Sequence, residues 1–509
     1  MKRAYFNKGK AHYLFIGLFI VLFFFLFSIG CKKDKSSDNP TIDTSAISLE
    51  INQFIWSGLN SYYLWVDGVP KLSPAYFQNN KDQWNAFLTP YSDHEKLFND
   101  LLYQYGKVDK WSWIVDDYVA LQNFFQGITK SMGYDYGLAR IGTTDDILGF
   151  VQYVVKGSPA DQSGIKRGDI FIKVNGEQLT VSNYQTLLVD SGTYTLSFAN
   201  IVNHTVVPNG KELYLTATVV QENPIYYDTI FNINNNKIGY LVYNGFMSNY
   251  DIQLNQVFSG FKAAGINKLI LDLRYNGGGS VQTAIYLASM IYGTYSNKVF
   301  IKSQYNDSLQ SYLTQQYGSS FFSDNFTNVI LQTTANPQTP INTLNLNDLY
   351  VLTTRNTASA SELVINGLRP YMPVITIGDT TDGKYVGSMT IYDTDNYGNV
   401  NPNHKWALQP IVLKMANANG VSDFVDGLAP TVFAEEDIAN LLPFGNPNET
   451  MLKATLDYIN GVMQQSAVLK SKSMGFHKIA DSKDFIPHAK EMYINKNINN
   501  KFRLKSSLH

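Results

Sequence analysis

The chain of 509 residues has a single cysteine, Cys31, which excludes an intrachain disulfide and any zinc site built from thiolates. Charge is scarce and balanced. Only 16% of residues are charged, with 40 Lys plus Arg against 42 Asp plus Glu and a formal net charge of -2. A chain with no basic excess carries no electrostatic footprint for nucleic acid, so that partner is excluded. The seven histidines, His12, His94, His204, His404, His477, His488 and His509, include no H-E-x-x-H pair and no metal-ligand spacing, and no metal is expected. Internal repeats are also missing. What the chain does have is apolar side chain, 44%, and aromatics at 14%, enough to fill complete cores. On the prior of about 100 to 200 residues per domain, its length accommodates several domains.

Residues 1–12 hold Lys2, Arg3, Lys8 and Lys10 without an acid, and residues 13–30 form the apolar run YLFIGLFIVLFFFLFSIG. This is an export signal in outline, although the run is also long enough to span a membrane as a helix. Cys31 follows Ser28-Ile29-Gly30 at its end. The stretch resembles a bacterial lipoprotein signal over residues 1–30, in which cleavage leaves the cysteine as a lipidated first residue. The resemblance implies membrane lipid as a partner through Cys31 and a cell-envelope location, as an outer-membrane lipoprotein facing the periplasm or the cell surface. The alternative is an uncleaved signal anchor with an incidental cysteine. Both place the body of the chain outside the cytoplasm. Residues 31–46, CKKDKSSDNPTIDTSA, are polar without an apolar period and read as a tether.

From 47 to 133 apolar residues recur at three and four spacings, as in Ile51, Ile55, Leu59 and Tyr62, with Pro70 and Pro74 as breaks, which predicts an N-terminal helical domain. Residues 134–222 change to short alternating strands and turns, and 223–446 alternate strand and helix in the manner of an α/β core. Residues 447–509 read as a helix followed by a loosely ordered polar tail. The charge-poor stretch Ser303 to Asn347 is either a core insertion with a helix near Leu309 to Tyr317 or a long surface excursion.

Within the β-rich region, GFVQYVVKGSPADQSGIKRGDIFIKVNGEQL (149–179) has a strand, a helix start at Ser158-Pro159-Ala160, a turn from Gly164 to Asp169 and a second strand ending at Asn175-Gly176. This resembles a PDZ domain of the circularly arranged type found in exported bacterial proteases. Such a module takes a peptide as an added strand between a sheet edge and a helix, with backbone N–H groups receiving the terminal carboxylate. By that resemblance the carboxylate loop falls at Tyr136, Gly137 and Leu138. The rival reading is a small β domain serving as a spacer.

The chemistry sits on two strand ends. LILDLRYNGGGS (269–280) runs an apolar strand through Asp272 and Arg274 into a glycine cluster whose backbone N–H groups can approach a ligand closely. DLYVLTTRNTASASELVINGLRP (348–370) runs a second strand into small residues and a helix, with Ser359 at the junction. Ser359-Ala360-Ser361-Glu362 is also a capping box, S-x-x-E, that would suit any helix start. A third strand and turn, IGDTTDGKYVGS, presents Lys384, 25 positions after Ser359. Gly378 to Lys384 fits the opening of a phosphate-binding loop, but Tyr385 replaces the required Ser or Thr and no nucleotide is expected.

Together these segments resemble the C-terminal processing peptidases, also called tail-specific proteases. Their S-A-S-A-S-E signature appears as Thr357-Ala358-Ser359-Ala360-Ser361-Glu362, their F-G-K-G lysine as Lys384 in D-G-K-Y, and their D-L-R-N-N-x-G-G strand end as Asp272 to Gly279. The resemblance spans about 134–435. It implies an α/β fold: a crotonase-like protease core with a PDZ-like β-rich domain and an N-terminal helical domain. It further implies a serine endopeptidase without cofactors that acts on polypeptides with exposed C-terminal ends. Ser359 would be the nucleophile and Lys384 the base, with an oxyanion hole from Ala360 N–H and Gly278 N–H, or Gly277 or Gly279 in its place. Where many members carry Gln four residues after the lysine, this chain has Ser388, whose hydroxyl can support the dyad by accepting a hydrogen bond. Asp272 and Arg274 are expected to brace the glycine turn.

An ordinary lysine has a pKa of about 10.4 and must be desolvated to act as a base near neutrality. The expected geometry is therefore a buried Lys384 Nζ within hydrogen-bond reach of Ser359 Oγ. The competing reading is a catalytically silent surface lipoprotein that binds a peptide or another ligand on the same fold.

Overall fold

The computed structural model describes residues 44–188, 192–293, 297–331, 338–462, 468–469, 475–486 and 488–495. The signal, Cys31 and all but the last few residues of the tether lie outside them. Among the described residues no helix is long and apolar enough to cross a membrane.

The central sheet forms because its strands are apolar on both faces, the pattern of a parallel sheet covered on two sides. Strands Asn236–Tyr243, Lys268–Asp272, Leu349–Thr353, Val374–Gly378 and Val432–Ala434 lie side by side in chain order and run parallel. Ile225–Ile233 pairs antiparallel with the first of them. Side chains alternate between two cores. Leu241, Tyr243, Leu269, Leu271 and Val351 face the larger cluster, which includes residues of helices Asp251–Ala264, Val281–Ile291 and Ala360–Leu368. Tyr240, Val242, Ile270 and Leu352 face the smaller one, beneath helix Thr450–Ile459.

The N-terminal region is mainly helical, as expected, as far as Phe125, with one strand at Trp113–Val115, but it does not keep a core to itself. Ile51, Ile55, Leu59 and Tyr62 line one face of helix Thr44–Tyr62 and are buried in the same apolar cluster as the central sheet. Strand Trp113–Val115 then pairs with Ala407–Gln409. Periodicity reports that a face is buried and does not report against what. The stretch from Ser303 is a core insertion: helix Asp307–Tyr317 buries Leu309 and Leu313, and Phe322, Phe326 and Ile330 follow them into the cluster.

The β-rich region is a sheet in the spatial order Phe476–Asp481, Tyr134–Ile141, Ile147–Val154, Ile170–Val174, Thr193–Val202 and Thr205–Thr216, with helix Tyr184–Leu188 beside it. Its first strand comes from the far end of the chain. The tail expected to be loosely ordered is docked over its described residues, which is a correction. Phe476, Met492, Tyr493 and Ile494 are buried, and strands of a few residues each pair with distant partners.

Candidate active site

Three neighbouring strands of the central sheet deliver the site from their C-terminal ends, where open α/β sheets place their ligands. Lys268–Asp272 leads into the glycine turn, Leu349–Thr353 into Ser359, and Val374–Gly378 into Lys384.

Ser359 stands at the start of helix Ala360–Leu368 with φ 64° and ψ −114°, a strained backbone for a residue with a Cβ. Such conformations cost about 1–3 kcal/mol and persist where the surroundings force them. The forcing is visible. Asn276 O accepts from Ala358 N–H (3.1 Å) and Ser361 Oγ (3.0 Å), and Thr357 Oγ1 donates to Leu273 O (2.8 Å), so the serine turn is stitched to the glycine turn. The Ser359 side chain makes no cap hydrogen bond. Its Oγ is buried and has no hydrogen-bond partner among the described residues.

Glu362 does more than cap. Its buried carboxylate accepts from Ser359 N–H (2.8 Å), Thr381 Oγ1 (2.5 Å), Gly383 N–H (2.7 Å) and Lys384 N–H (2.9 Å), joining the backbone of the serine to that of the lysine. Burial lifts its pKa to about 7 against the pull of these donors. Gly383 is required at this junction, since it has φ +104° and a Cβ there would lie 2.5 Å from Val425 O.

Lys384 is wholly buried, as expected, but its nitrogen is turned elsewhere. Nζ donates to Lys490 O (2.8 Å) and pairs with Glu491 Oε1 (3.3 Å), and the expected hydrogen bond to Ser359 Oγ is not formed. The reason is the tail, whose strand Met492–Tyr493 lies between Gly279–Ser280 and Val386–Ser388 and brings two acceptors to the lysine. Ser388 Oγ donates to Glu491 Oε1 (2.5 Å) and accepts from Gln409 Nε2 (2.8 Å), so it reaches Lys384 through Glu491 and not directly.

The oxyanion donors are placed as follows. Gly278 N–H is taken by Asn276 Oδ1 (2.8 Å), while Gly279 N–H holds the Glu491 carbonyl (2.5 Å). The Ala360 N–H makes no hydrogen bond to any described residue. A Cβ on Gly278 would stand 2.7 Å from Ser359 Cβ and 2.2 Å from Glu491 O, which shows how tightly turn, serine and tail converge. Tyr136, Gly137 and Leu138 lie within strand Tyr134–Ile141, next to the edge strand Phe476–Asp481, with Leu138 opposite Ala480 and Gly137 opposite Asp481, and the Tyr136 N–H donates to Ser482 Oγ (3.2 Å).

Asp272 and Arg274 brace the turn. The Arg274 guanidinium is wholly buried against Asp272 (Nε to Oδ1 3.0 Å, NH2 to Oδ2 2.7 Å), Glu449 (2.8 Å) and Glu436 (3.1 Å). Arg167 of the β-rich region joins them through Glu436 (3.0 Å) and the Tyr275 hydroxyl (2.8 Å). Burial opposes the charge on Glu436, but Arg274 and Arg167 outweigh it and hold the carboxyl down at about 2. Among the described residues no group of three or more His, Cys, Asp or Glu is arranged to hold a metal.

Adjacent strand ends meeting at a strained, buried serine, with a peptide-groove module clamped beside them, define a PDZ-bearing α/β protein organised around that serine. Residues 237–432 match Peptidase family S41, residues 50–113 the Peptidase S41 N-terminal domain, and residues 150–192 the PDZ domain. The chain belongs to peptidase family S41, the C-terminal processing peptidases. It is 26% identical over 239 residues to a "C-terminal processing peptidase, chloroplastic" of Tetradesmus obliquus, covering 45% of this chain and 46% of that one. It is 22% identical over 236 residues to a "Probable CtpA-like serine protease" of Staphylococcus aureus strain COL, covering 46% and 42%. The aligned part thus spans about half the length of these curated relatives. Among solved structures, "Putative S41 protease from Bacteroides fragilis NCTC 9343" superposes with a TM-score of 0.58 and 29% identity, covering 81% of this chain and 97% of that one.

Proposed function

We propose that this protein is an exported, lipid-anchored serine endopeptidase that acts on polypeptides recognised through their C-terminal ends, with Ser359 as nucleophile and Lys384 as base. One observation carries the reading. A buried serine with a free Oγ is held in a strained backbone at a helix N-terminus and tied through Glu362 to the lysine turn. A helix cap needs neither the strain nor the tie.

In the reaction Ser359 Oγ attacks a peptide carbonyl carbon while Lys384 Nζ takes the hydroxyl proton. The carbonyl oxygen becomes an oxyanion at the Ala360 N–H and a glycine-turn N–H. The tetrahedral intermediate collapses by breaking the C–N bond, and Lys384 returns its proton to the leaving amine. Water then attacks the Ser359 ester, and its proton passes by way of Lys384 to Ser359 Oγ as the new carboxyl terminus leaves. The Gly279 N–H already binds a carbonyl oxygen, that of Glu491, which supports a donor role for the turn.

The test compares cleavage of an unfolded protein such as casein by the full chain and by Ser359→Ala. The expected result is a loss on the order of a thousandfold or more. Equal rates would leave a silent peptide-binding lipoprotein. The anchor is tested separately: Cys31→Ser should abolish labelling by a radioactive fatty acid and shift the protein from the membrane fraction to the soluble one.

A further inference from the structure

The described part of the tail visits both places that a substrate would have to visit. Strand Phe476–Asp481 pairs antiparallel with Tyr134–Ile141, which would be the edge of the sheet without it, Phe476 opposite Ile141 and Asp481 opposite Gly137. It therefore runs toward the Tyr136 end of the groove, the direction in which an added peptide brings its terminus to the receiving N–H groups. The Tyr136 N–H that such a terminus would use is bonded to Ser482 Oγ, and Ser482 Oγ in turn donates to Asp135 Oδ1 (2.8 Å). Ala480 and Phe485 pack against the apolar core of this region, and Phe485 lies 5.9 Å from the ring of Tyr184 on helix Tyr184–Leu188. The tail thus occupies the groove between strand Tyr134–Ile141 and the helix.

A few residues later the same segment enters the cleft. Lys490 O and Glu491 Oε1 engage Lys384, Glu491 O takes the Gly279 N–H, and Glu491 Oε2 accepts from Trp113 Nε1 (3.0 Å). Lys490 Nζ bonds Asp382 Oδ1 (2.6 Å), two residues before the lysine. A cavity of about 630 Å³ runs from Tyr134 and Tyr136 to the glycine turn. It ends on Glu491, and neither Ser359 nor Lys384 lines it.

We infer that residues 476–486 and 488–494 are an internal ligand of the protein's own peptide groove and catalytic cleft, which the C-terminal end of a polypeptide must displace before Lys384 can turn to Ser359. The inference rests on the peptidase reading for its consequence, but not for its test. Displacement at the groove frees the segment that holds the lysine, so occupancy of one site is felt at the other. A groove already filled lowers apparent peptide affinity by the fraction of molecules in which it is open.

The experiment uses full-length chains carrying Cys31→Ser and Ser359→Ala, so that hydrolysis plays no part. The probe is a fluorescent decapeptide with apolar residues at its last three positions and a free terminal carboxylate. Ala480→Asp with Phe485→Ser should undock the tail and tighten binding at least tenfold. Arg140→Cys with His477→Cys joins two residues that face each other in the antiparallel pair, within disulfide reach. Its oxidised form should bind at least tenfold more weakly than its reduced form. In the parent, saturating peptide should raise amide hydrogen exchange across 476–494, a readout that does not depend on how well the undocked variant folds. Affinities within twofold across all forms, or exchange unchanged by peptide, would overturn the proposal while leaving the peptidase reading intact. With Ser359 restored, the undocking pair should also raise casein turnover about tenfold. Confirmed competition without Ser359-dependent cleavage in any form would sink the peptidase reading alone.

Discussion

Two of the buried basic side chains near the site, Arg274 and Lys384, are paired in different ways. Arg274 is held by Asp272, Glu436 and Glu449, all from the core, and the same cluster takes in Arg167 from the β-rich region. Lys384 is held by Lys490 and Glu491 from the tail. In the first arrangement Asp272 ends a central strand, Glu436 follows strand Val432–Ala434 and Glu449 caps the helix Thr450–Ile459 that covers the sheet. The second depends on a segment attached by strands of only a few residues. On the proposed reading, a charge that stays paired is braced from within the core, whereas the charge to be released is matched by a removable piece.

The sharpest way to break this contrast is Arg274→Ala, which strands buried carboxylates and should cost about 3–5 kcal/mol in urea unfolding. Glu491→Gln should cost far less than Arg274→Ala in the same assay, because a tail that lets go exposes the lysine to water instead of leaving it unpaired, and it should raise casein turnover. If the two substitutions destabilised equally, the tail would be as permanent as the core.

Acid gives a second comparison. Glu436 sits at about 2, below its ordinary 4.5, so its stabilising contribution is complete above 4.5 and is lost as pH falls toward 2. Glu362 sits at about 7, above its ordinary 4.5, so the folded state takes up its proton first and stability rises as pH falls from 7 to 4.5. Each contributes on the order of 3 kcal/mol across its window. Burial lifts Glu222 and Asp251 to about 7 as well, so melting temperatures of Ser359→Ala should fall from about pH 4.5 toward neutrality, and Glu362→Gln should reduce that slope by about a third without abolishing it.

The smallest expected effect concerns backbone strain. Ser359→Gly should be about 1 kcal/mol more stable than Ser359→Ala, since glycine adopts φ 64° without penalty. Equal unfolding midpoints would mean that the serine turn stores no strain.

The sequence was informative where chemistry needs particular residue types close together. The serine, lysine and glycine-turn segments are short, each lies at the end of a strand, and Asp272 with Arg274 was readable as a brace. Glu362 was visible only as a cap, because the S-x-x-E pattern accounts for its first bond and says nothing of Thr381, Gly383 or Lys384. Glu491 carried no signal. It lies more than a hundred residues from Lys384, in a stretch where Phe476, Phe485, Met492, Tyr493 and Ile494 are too irregularly spaced to predict a strand. The two-residue strand Met492–Tyr493 is dictated by its neighbours, and no local propensity announces it.

The four-donor grip of Glu362 has a mechanical consequence. With the main chains of residues 359 and 384 clasped by one side chain, neither can drift relative to the other. Any approach of the amine to the hydroxyl falls to rotation about the lysine's own single bonds, a motion of picoseconds to nanoseconds where space allows. On the proposed reading, departure of the tail, a far slower event, would then set the pace at which Lys384 becomes available to Ser359.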